Sequence, residues 1–275
     1  SLHHLFFLKR LLFLFALVTV SAGTAKADWL LLQPANKQPD DIKKALATSF
    51  PSIQIIDDIS AVKPSDSIIT LGNSDYLSTR NIRCKSQVGL FVSNVVATKS
   101  PKGCGATTLV SSEPEPLAVG AEIQRRLNVK TTGYLLPSDS DSDIRKGIKD
   151  VYPFFEYIDP GKDSIFRTLR NIYLKNDIDS IFIPSTHSAF DSRNVITALE
   201  SIYRNRLPAV SNSRSLIGKG AVLVIYIEFN EVFKKLNELL DENGGTAPVG
   251  LYHASYRVFY DVKLAKVLGL EGVNE

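Results

Sequence analysis

Methionine is absent from this 275-residue chain, tryptophan occurs once, and there are only two cysteines and four histidines. After residue 27 the histidines are His187 and His253 alone, and neither shares with Cys84 or Cys104 the spacing of a zinc site. No metal site and no cofactor are therefore expected. The G-x-S-x-G elbow, the G-x-G-x-x-G loop, the P-loop and H-E-x-x-H are all missing too, so the chain is not expected to be an enzyme. His187, Asp191 and a nearby Ser are as close as it comes to a triad, which leaves a secreted hydrolase as an alternative. A chain that starts with Ser and holds no Met is expected to have its true start codon upstream or misread.

Basic clusters are also lacking beyond the N-terminal stretch. Residues 5 to 20, LFFLKRLLFLFALVTV, followed by small residues and Ala25, Lys26 and Ala27, have the basic, apolar and A-x-A order of a secretory signal. Residues 1–27 are thus predicted to be a signal peptide cleaved near Ala27, with a periplasmic or secreted product. The apolar run after Lys9 and Arg10 is about ten residues long, short of the roughly 20 a bilayer span needs. A retained anchor is the alternative, and no Cys near Ala27 supports a lipid anchor. Removing Lys9, Arg10 and Lys26 from the 32 basic residues leaves 29, equal to the 29 acidic ones. A neutral mature chain without a basic face is not expected to bind nucleic acid.

Cys84 and Cys104 would meet an oxidising compartment after export. A bridge between them would close a loop of about twenty residues and stabilise by roughly 3 kcal/mol. Two separate buried thiols are the alternative.

From Asp28 onward, apolar strand-like runs alternate with segments of helical period, the pattern of an α/β fold with parallel sheets. WLLLQP, SIQII, SIITLG, VGLFVSNVV (88–96) and TTLVSS read as strands. Between them lie helices carrying Ile42, Ala45, Leu46 and Phe50, and then Leu117, Ala121, Ile123 and Leu127. The pattern restarts at TTGYLLPSDS, with further strands at FFEYID, DSIFIPSTHS and LPAVSNS. Helices are expected at DIRKGIKDV, at Ile165 to Tyr173 and at Val195 to Ile202. Two Rossmann-like lobes with parallel sheets are therefore expected, with a cleft in which hinge closure encloses a small ligand.

The run Ala221–Ile227 is apolar on both faces, as a strand inside a parallel sheet would be. Phe229, Val232, Phe233, Leu236, Leu239 and Leu240 then form a helical stripe, and Gly269 is placed to stop the last helix. In order and spacing, Asp179, Ile181 and Pro184, then Leu207 and Pro208, Gly220 and Ala221, and Glu228, Phe229 and Glu231 form a signature. It is completed by Lys263, Ala265, Leu268 and Gly269. This signature resembles the ABC transporter substrate-binding family of the type 1 periplasmic-binding fold, over roughly residues 130 to 275.

The resemblance implies three hinge crossings, near 129, 227 and 248. It divides the chain into an N-terminal lobe of 28–129 plus 227–247 and a C-terminal lobe of 130–226 plus 248–275. It implies a monomer that binds a small organic ligand, amino-acid-like in the simplest case, and delivers it to ABC permease and ATPase subunits at the inner membrane. A ligand-free scaffold or sensory relative is the alternative. The chain departs from the family pattern at Thr186 and His187, where an acidic residue usually stands, and at Phe233, which replaces a glycine.

In such folds ligand contacts come from loops at the carboxyl ends of strands. That rule selects Gln33, Asn73, Ser74, Ser93 and Asn94 in the first lobe, the last two within the fourth strand. In the second lobe it selects Ser138, Thr186, His187, Ser211 and Asn212. Each could instead cap the helix that follows, as Ser and Asn commonly do in these loops.

Overall fold

Two six-stranded sheets organise the computed structural model, which describes residues 29–32, 40–99, 103–138 and 142–270. The predicted signal peptide, its cleavage site at Ala27, and Gln33 all lie outside the described residues. The strands of the first sheet are β1 (Trp29–Leu32), β2 (Ile53–Ile56), β3 (Ser67–Leu71), β4 (Cys84–Val92), β5 (Cys104–Ser111) and β11 (Gly250–His253). They run in the order β11-β5-β4-β3-β1-β2, and all are parallel. The second sheet holds β6 (Thr132–Leu135), β7 (Glu156–Ile158), β8 (Ser180–Ile183), β9 (Ala209–Ser211), β10 (Leu223–Tyr226) and β12 (Arg257–Tyr260). Its order is β12-β10-β9-β8-β6-β7, with only β12 antiparallel.

Helices α1 (Asp40–Ser49), α2 (Gly72–Ser78), α3 (Asn94–Ala97) and α8 (Phe229–Glu242) cover the first sheet. Ile42 and Leu46 of α1 and Val232, Leu236 and Leu239 of α8 pack together on Leu31, Ile69, Val88, Leu90 and Val110. On the other face Tyr76 and Val96 cover Val92 and Leu109. The second sheet is covered by α4 (Pro116–Leu127), α5 (Ser142–Val151), α6 (Ile165–Lys175), α7 (Val195–Arg204) and α9 (Val262–Val267). On one face Val119, Ile123 and Leu127 of α4 and Ile148 of α5 pack with Tyr134, Phe155, Phe182 and Ile225. On the other face lie Leu169 and Ile172 of α6 and Ala198, Leu199 and Ile202 of α7. Strands buried on both faces need apolar side chains throughout, and Leu223, Val224 and Ile225 are fully buried as the sequence pattern requires.

The chain passes between sheets three times. The middle passage follows β10, where Ile227 and the stripe of α8 join the core of the first sheet. The other two differ from expectation. The first lies between β5 and α4, at 112–115, because the apolar stripe of α4 packs on the second sheet rather than the first. The third lies at 254–256 rather than near 248, because residues 250–253 add β11 to the first sheet beside β5. The short β11 carries too little apolar pattern to be read in advance, since Gly250 and His253 flank only Leu251 and Tyr252.

Cys84 and Cys104 form a disulfide between directly paired residues of β4 and β5, with Cα atoms 4.4 Å apart. Two elements also differ in extent. FFEYID yields only the three-residue β7. VGLFVSNVV is not strand throughout: β4 ends at Val92 and α3 begins at Asn94. A register shift between Leu90 and Val92 places Phe91 at φ 59°, stacked 4.9 Å from Phe229. This bulge turns the end of β4 toward the middle crossing and sets up the corner that follows.

Candidate functional site

The carboxyl ends of the two sheets meet at the crossings, and polar side chains from both meet there. Ser93 follows β4 and caps α3 by accepting from the Val96 amide at 3.2 Å. Asn94 is buried and makes five bonds. Its amide donates to Glu113 Oε1 at 2.7 Å, and its Nδ2 donates to Pro114 O at 2.9 Å and to the Tyr152 hydroxyl at 3.4 Å. Its Oδ1 accepts from Ser111 Oγ at 2.9 Å and lies 2.7 Å from His253 Nε2. Asn94 therefore ties β4, β5, β11 and the second lobe's Tyr152 into one network.

Glu113 stands two residues beyond β5, on the first crossing, and is 3% exposed. Besides the Asn94 amide it accepts, at Oε2, from Ser185 Oγ at 2.9 Å and Asn212 Nδ2 at 2.7 Å, both at strand ends of the second sheet. Asn212 is oriented by the Ser185 amide, which donates to its Oδ1 at 2.8 Å. Burial pushes the Glu113 carboxyl above the usual carboxylate range, and the three hydrogen bonds oppose that rise. The buried hydroxyls of Tyr134 and Tyr152 are pushed well above the ordinary tyrosine range, first by desolvation and then by the Glu113 charge.

His187 follows β8 with φ 57°, and its Nε2 lies 3.5 Å from Ser93 Oγ across the cleft. Its carbonyl accepts from the Tyr134 hydroxyl at 2.9 Å. Burial and the nearby Lys99 charge lower its pKa, and burial likewise lowers that of His253, so both imidazoles favour the neutral form. No proton-accepting carboxylate is bonded to either ring among the described residues, so no triad forms.

The lobes also touch through apolar groups. Val95 of α3 belongs to the core of the second sheet, where Gly147 of α5 leaves room for it. A cavity of about 540 Å³, lined by second-lobe residues alone, opens at the point where the second sheet's strand order reverses, between β6 and β8. Ser138, His187, Ser188, Asp191, Arg193 and Asn194 are among its lining. Strand-order reversal leaves the two flanking loops diverging in opposite directions, which is the usual origin of a ligand crevice in such sheets.

Of the ten ligand candidates, Ser93, Asn94, His187, Ser211 and Asn212 are brought to this junction, although Ser93 and Asn94 sit on α3's start rather than within β4. Ser211 acts locally: its hydroxyl donates to Ile183 O at 2.6 Å and accepts from the Ser213 amide at 2.9 Å. Asn73 also acts on backbone, accepting from the Ser93 amide at 2.7 Å and so fixing that corner. Ser74 is exposed, Ser138 is exposed on the cavity rim, and Thr186 is half-buried between Ser185 and His187. Glu113, Ser111, Ser185 and His253 were not foreseen. The carboxyl-end rule would have found Ser111 and Glu113 had it been applied to TTLVSS as it was to the other strands.

No protein-family model and no curated protein matches the chain. Among solved structures, a substrate-binding protein with adhesive properties from Clostridium difficile, ligand-free and open, is similar. It shares 13% identity over 89% of this chain and 95% of that one, with a TM-score of 0.59. A conserved domain protein from Vibrio cholerae shares 13% identity over 90% and 97%, at 0.55. An ABC domain in complex with L-Trp from Streptococcus pneumonia shares 14% over 88% and 94%, at 0.51. The chain has the type 1 periplasmic-binding fold.

The second and third crossings are each tied to the second lobe. Glu228 on the second pairs with Arg214 at 3.3 Å and Arg257 at 3.8 Å. Tyr256 on the third donates to Glu122 of α4 at 2.9 Å. Burial alone would raise the Glu122 carboxyl, but bonds from Arg125, Arg126 and Tyr256 hold it below the usual range.

Proposed function

We propose that this protein is the exported solute-binding component of an ABC-type uptake system, enclosing a small organic solute between its lobes and presenting it to permease and ATPase subunits. The observation that carries this is the convergence of Ser93, Asn94, Glu113, Ser185, His187 and Asn212, from strand ends of both sheets, at a junction spanned by three crossings. The cavity beside His187 supplies volume on the second-lobe side, and its Ser, Asn, Asp and Arg lining suits a polar, amino-acid-like solute. Among the described residues no helix is long and apolar enough to cross a membrane. Four of the residues that such a solute would touch are already joined, since Asn94, Ser185 and Asn212 each donate to Glu113, and this favours a second reading, a scaffold or sensory relative that closes without ligand.

A thermal-shift screen of the mature protein against amino acids, small peptides, nucleosides and sugars separates the two. The solute-binding reading expects one chemical class to raise the melting temperature with concentration. Silence from every class supports the scaffold, and turnover of a chromogenic ester or phosphate would favour a hydrolase over both.

A further inference from the structure

Three neutral donors converge on one point between the lobes: the Asn94 amide from the start of α3, Ser185 Oγ from beyond β8, and Asn212 Nδ2 from beyond β9. Two of them are held in place by other groups. The Asn94 side chain is anchored through Ser111, Pro114, Tyr152 and His253, and the Asn212 amide through the Ser185 backbone. A preorganised set of N–H and O–H donors, two of them on the buried Asn94 and Asn212 and the third on Ser185 at the exposed rim, is a binding site for an acceptor. Its present occupant is the side chain of Glu113.

We propose that this is a carboxylate-binding site, and that Glu113 is a tethered occupant which closes the cleft in the absence of solute. Three bonds spread over two oxygens match a planar carboxylate. The three bonds come from neutral groups, which suits a single negative charge and argues against a phosphate or sulfate, whose higher charge calls for Lys or Arg. Because one donor belongs to the first lobe and two to the second, whatever fills the site draws the lobes together. The inference rests on the solute-binding reading for its biological meaning: a solute carboxylate would compete with Glu113, so the tether sets the threshold that binding must overcome.

Glu113→Ala removes a fragment of the size and shape of acetate, which makes chemical rescue a direct test. At neutral pH, Glu113→Ala is expected to give a more extended small-angle scattering profile and a melting temperature lower by on the order of 10 °C. Sodium acetate should restore both, whereas acetamide, the neutral isostere, and sodium chloride at matched ionic strength should not. Should Glu113→Ala fail to fold, Glu113→Gln decides: its amide N–H must face either the Asn94 amide or the Ser185 and Asn212 donors, so it should be folded yet more extended. The proposal is overturned if acetate does no more than chloride, or if Glu113→Ala, or Glu113→Gln in its place, is as compact and stable as the wild type. The rescue reads only the three-donor site, so a wild-type protein that answers no solute in a thermal screen would refute the transport reading and leave this result standing.

Discussion

Asn212 Nδ2 lies 2.7 Å from Glu113 Oε2, a hydrogen bond that joins the end of β9 in the second lobe to the first crossing. The same Asn212 accepts from the Ser185 amide, so one side chain fixes both a loop of its own lobe and the carboxylate that reaches the other. Asn212→Ala leaves the Ser185 amide unpaired and Glu113 short of one donor. A loss of about 1–3 kcal/mol is expected from such an unmet buried bond. Denaturant unfolding of the variant measures it, and a cycle with Glu113→Gln should show that the two losses are not additive. Additive losses would mean that the bond does not couple the lobes.

The raised pKa of Glu113 has a definite sign in a stability profile. Between the ordinary carboxylate range and the raised folded value, the folded protein holds this proton more tightly than the unfolded chain. The contribution of Glu113 is therefore greatest at low pH and declines as pH rises through that window. His187 and His253, lowered by burial, act oppositely below the ordinary histidine value, since the folded form binds fewer protons there. The other groups facing the site, the Tyr134 and Tyr152 hydroxyls, stay protonated across this range, and the Lys99 and Glu115 charges act through the two histidines. Subtracting the melting profile of Glu113→Gln from that of the wild type isolates the carboxylate, and the difference should fall as pH rises. A flat difference would place Glu113 in solvent.

Gly147 of α5 faces Val95 and Thr98 of α3, and a Cβ there would lie 3.4 Å from Val95 Cγ1 and 3.5 Å from Thr98 Oγ1. These are ordinary contact distances, so Gly147→Ala should stabilise by about 0.5–1 kcal/mol through relief of glycine's helix cost while the lobes stay together. Gly147→Trp should drive them apart. Scattering that is unchanged for Gly147→Trp would show that α3 and α5 do not form the closing contact.

The disulfide lies in the first sheet, remote in the chain from the second-lobe strand ends. Cys84→Ser with Cys104→Ser should cost roughly 3 kcal/mol by the loop-closure estimate, while the melting-temperature gain with a bound solute stays as in the wild type. A lost solute response would mean that the bridge shapes the cleft.

Much of this fold was legible because buried parallel strands must be apolar on both faces. The Ala221–Ile227 run and the stripe from Phe229 to Leu240 were readable for that reason. The first crossing was misplaced because the stripe of α4 says that the helix packs, without saying on which sheet. β11 escaped because four residues with a glycine at one end carry no period. At the site, Asn94 and Asn212 were found by position alone, but their role as holders of Glu113 depends on which lobe each loop faces, and no local pattern encodes that. Glu113 itself looks in sequence like one more acid before a helix, since only the fold removes it from water.

Hydrogen exchange measured by mass spectrometry, with and without the solute that raises the melting temperature most, tests solute enclosure between the lobes most directly. The predicted result is protection of 90–99 and 110–115 together with 183–189 and 210–214, on both sides of the junction at once. Protection confined to one lobe, or none at these four segments, would contradict the binding of a solute between them.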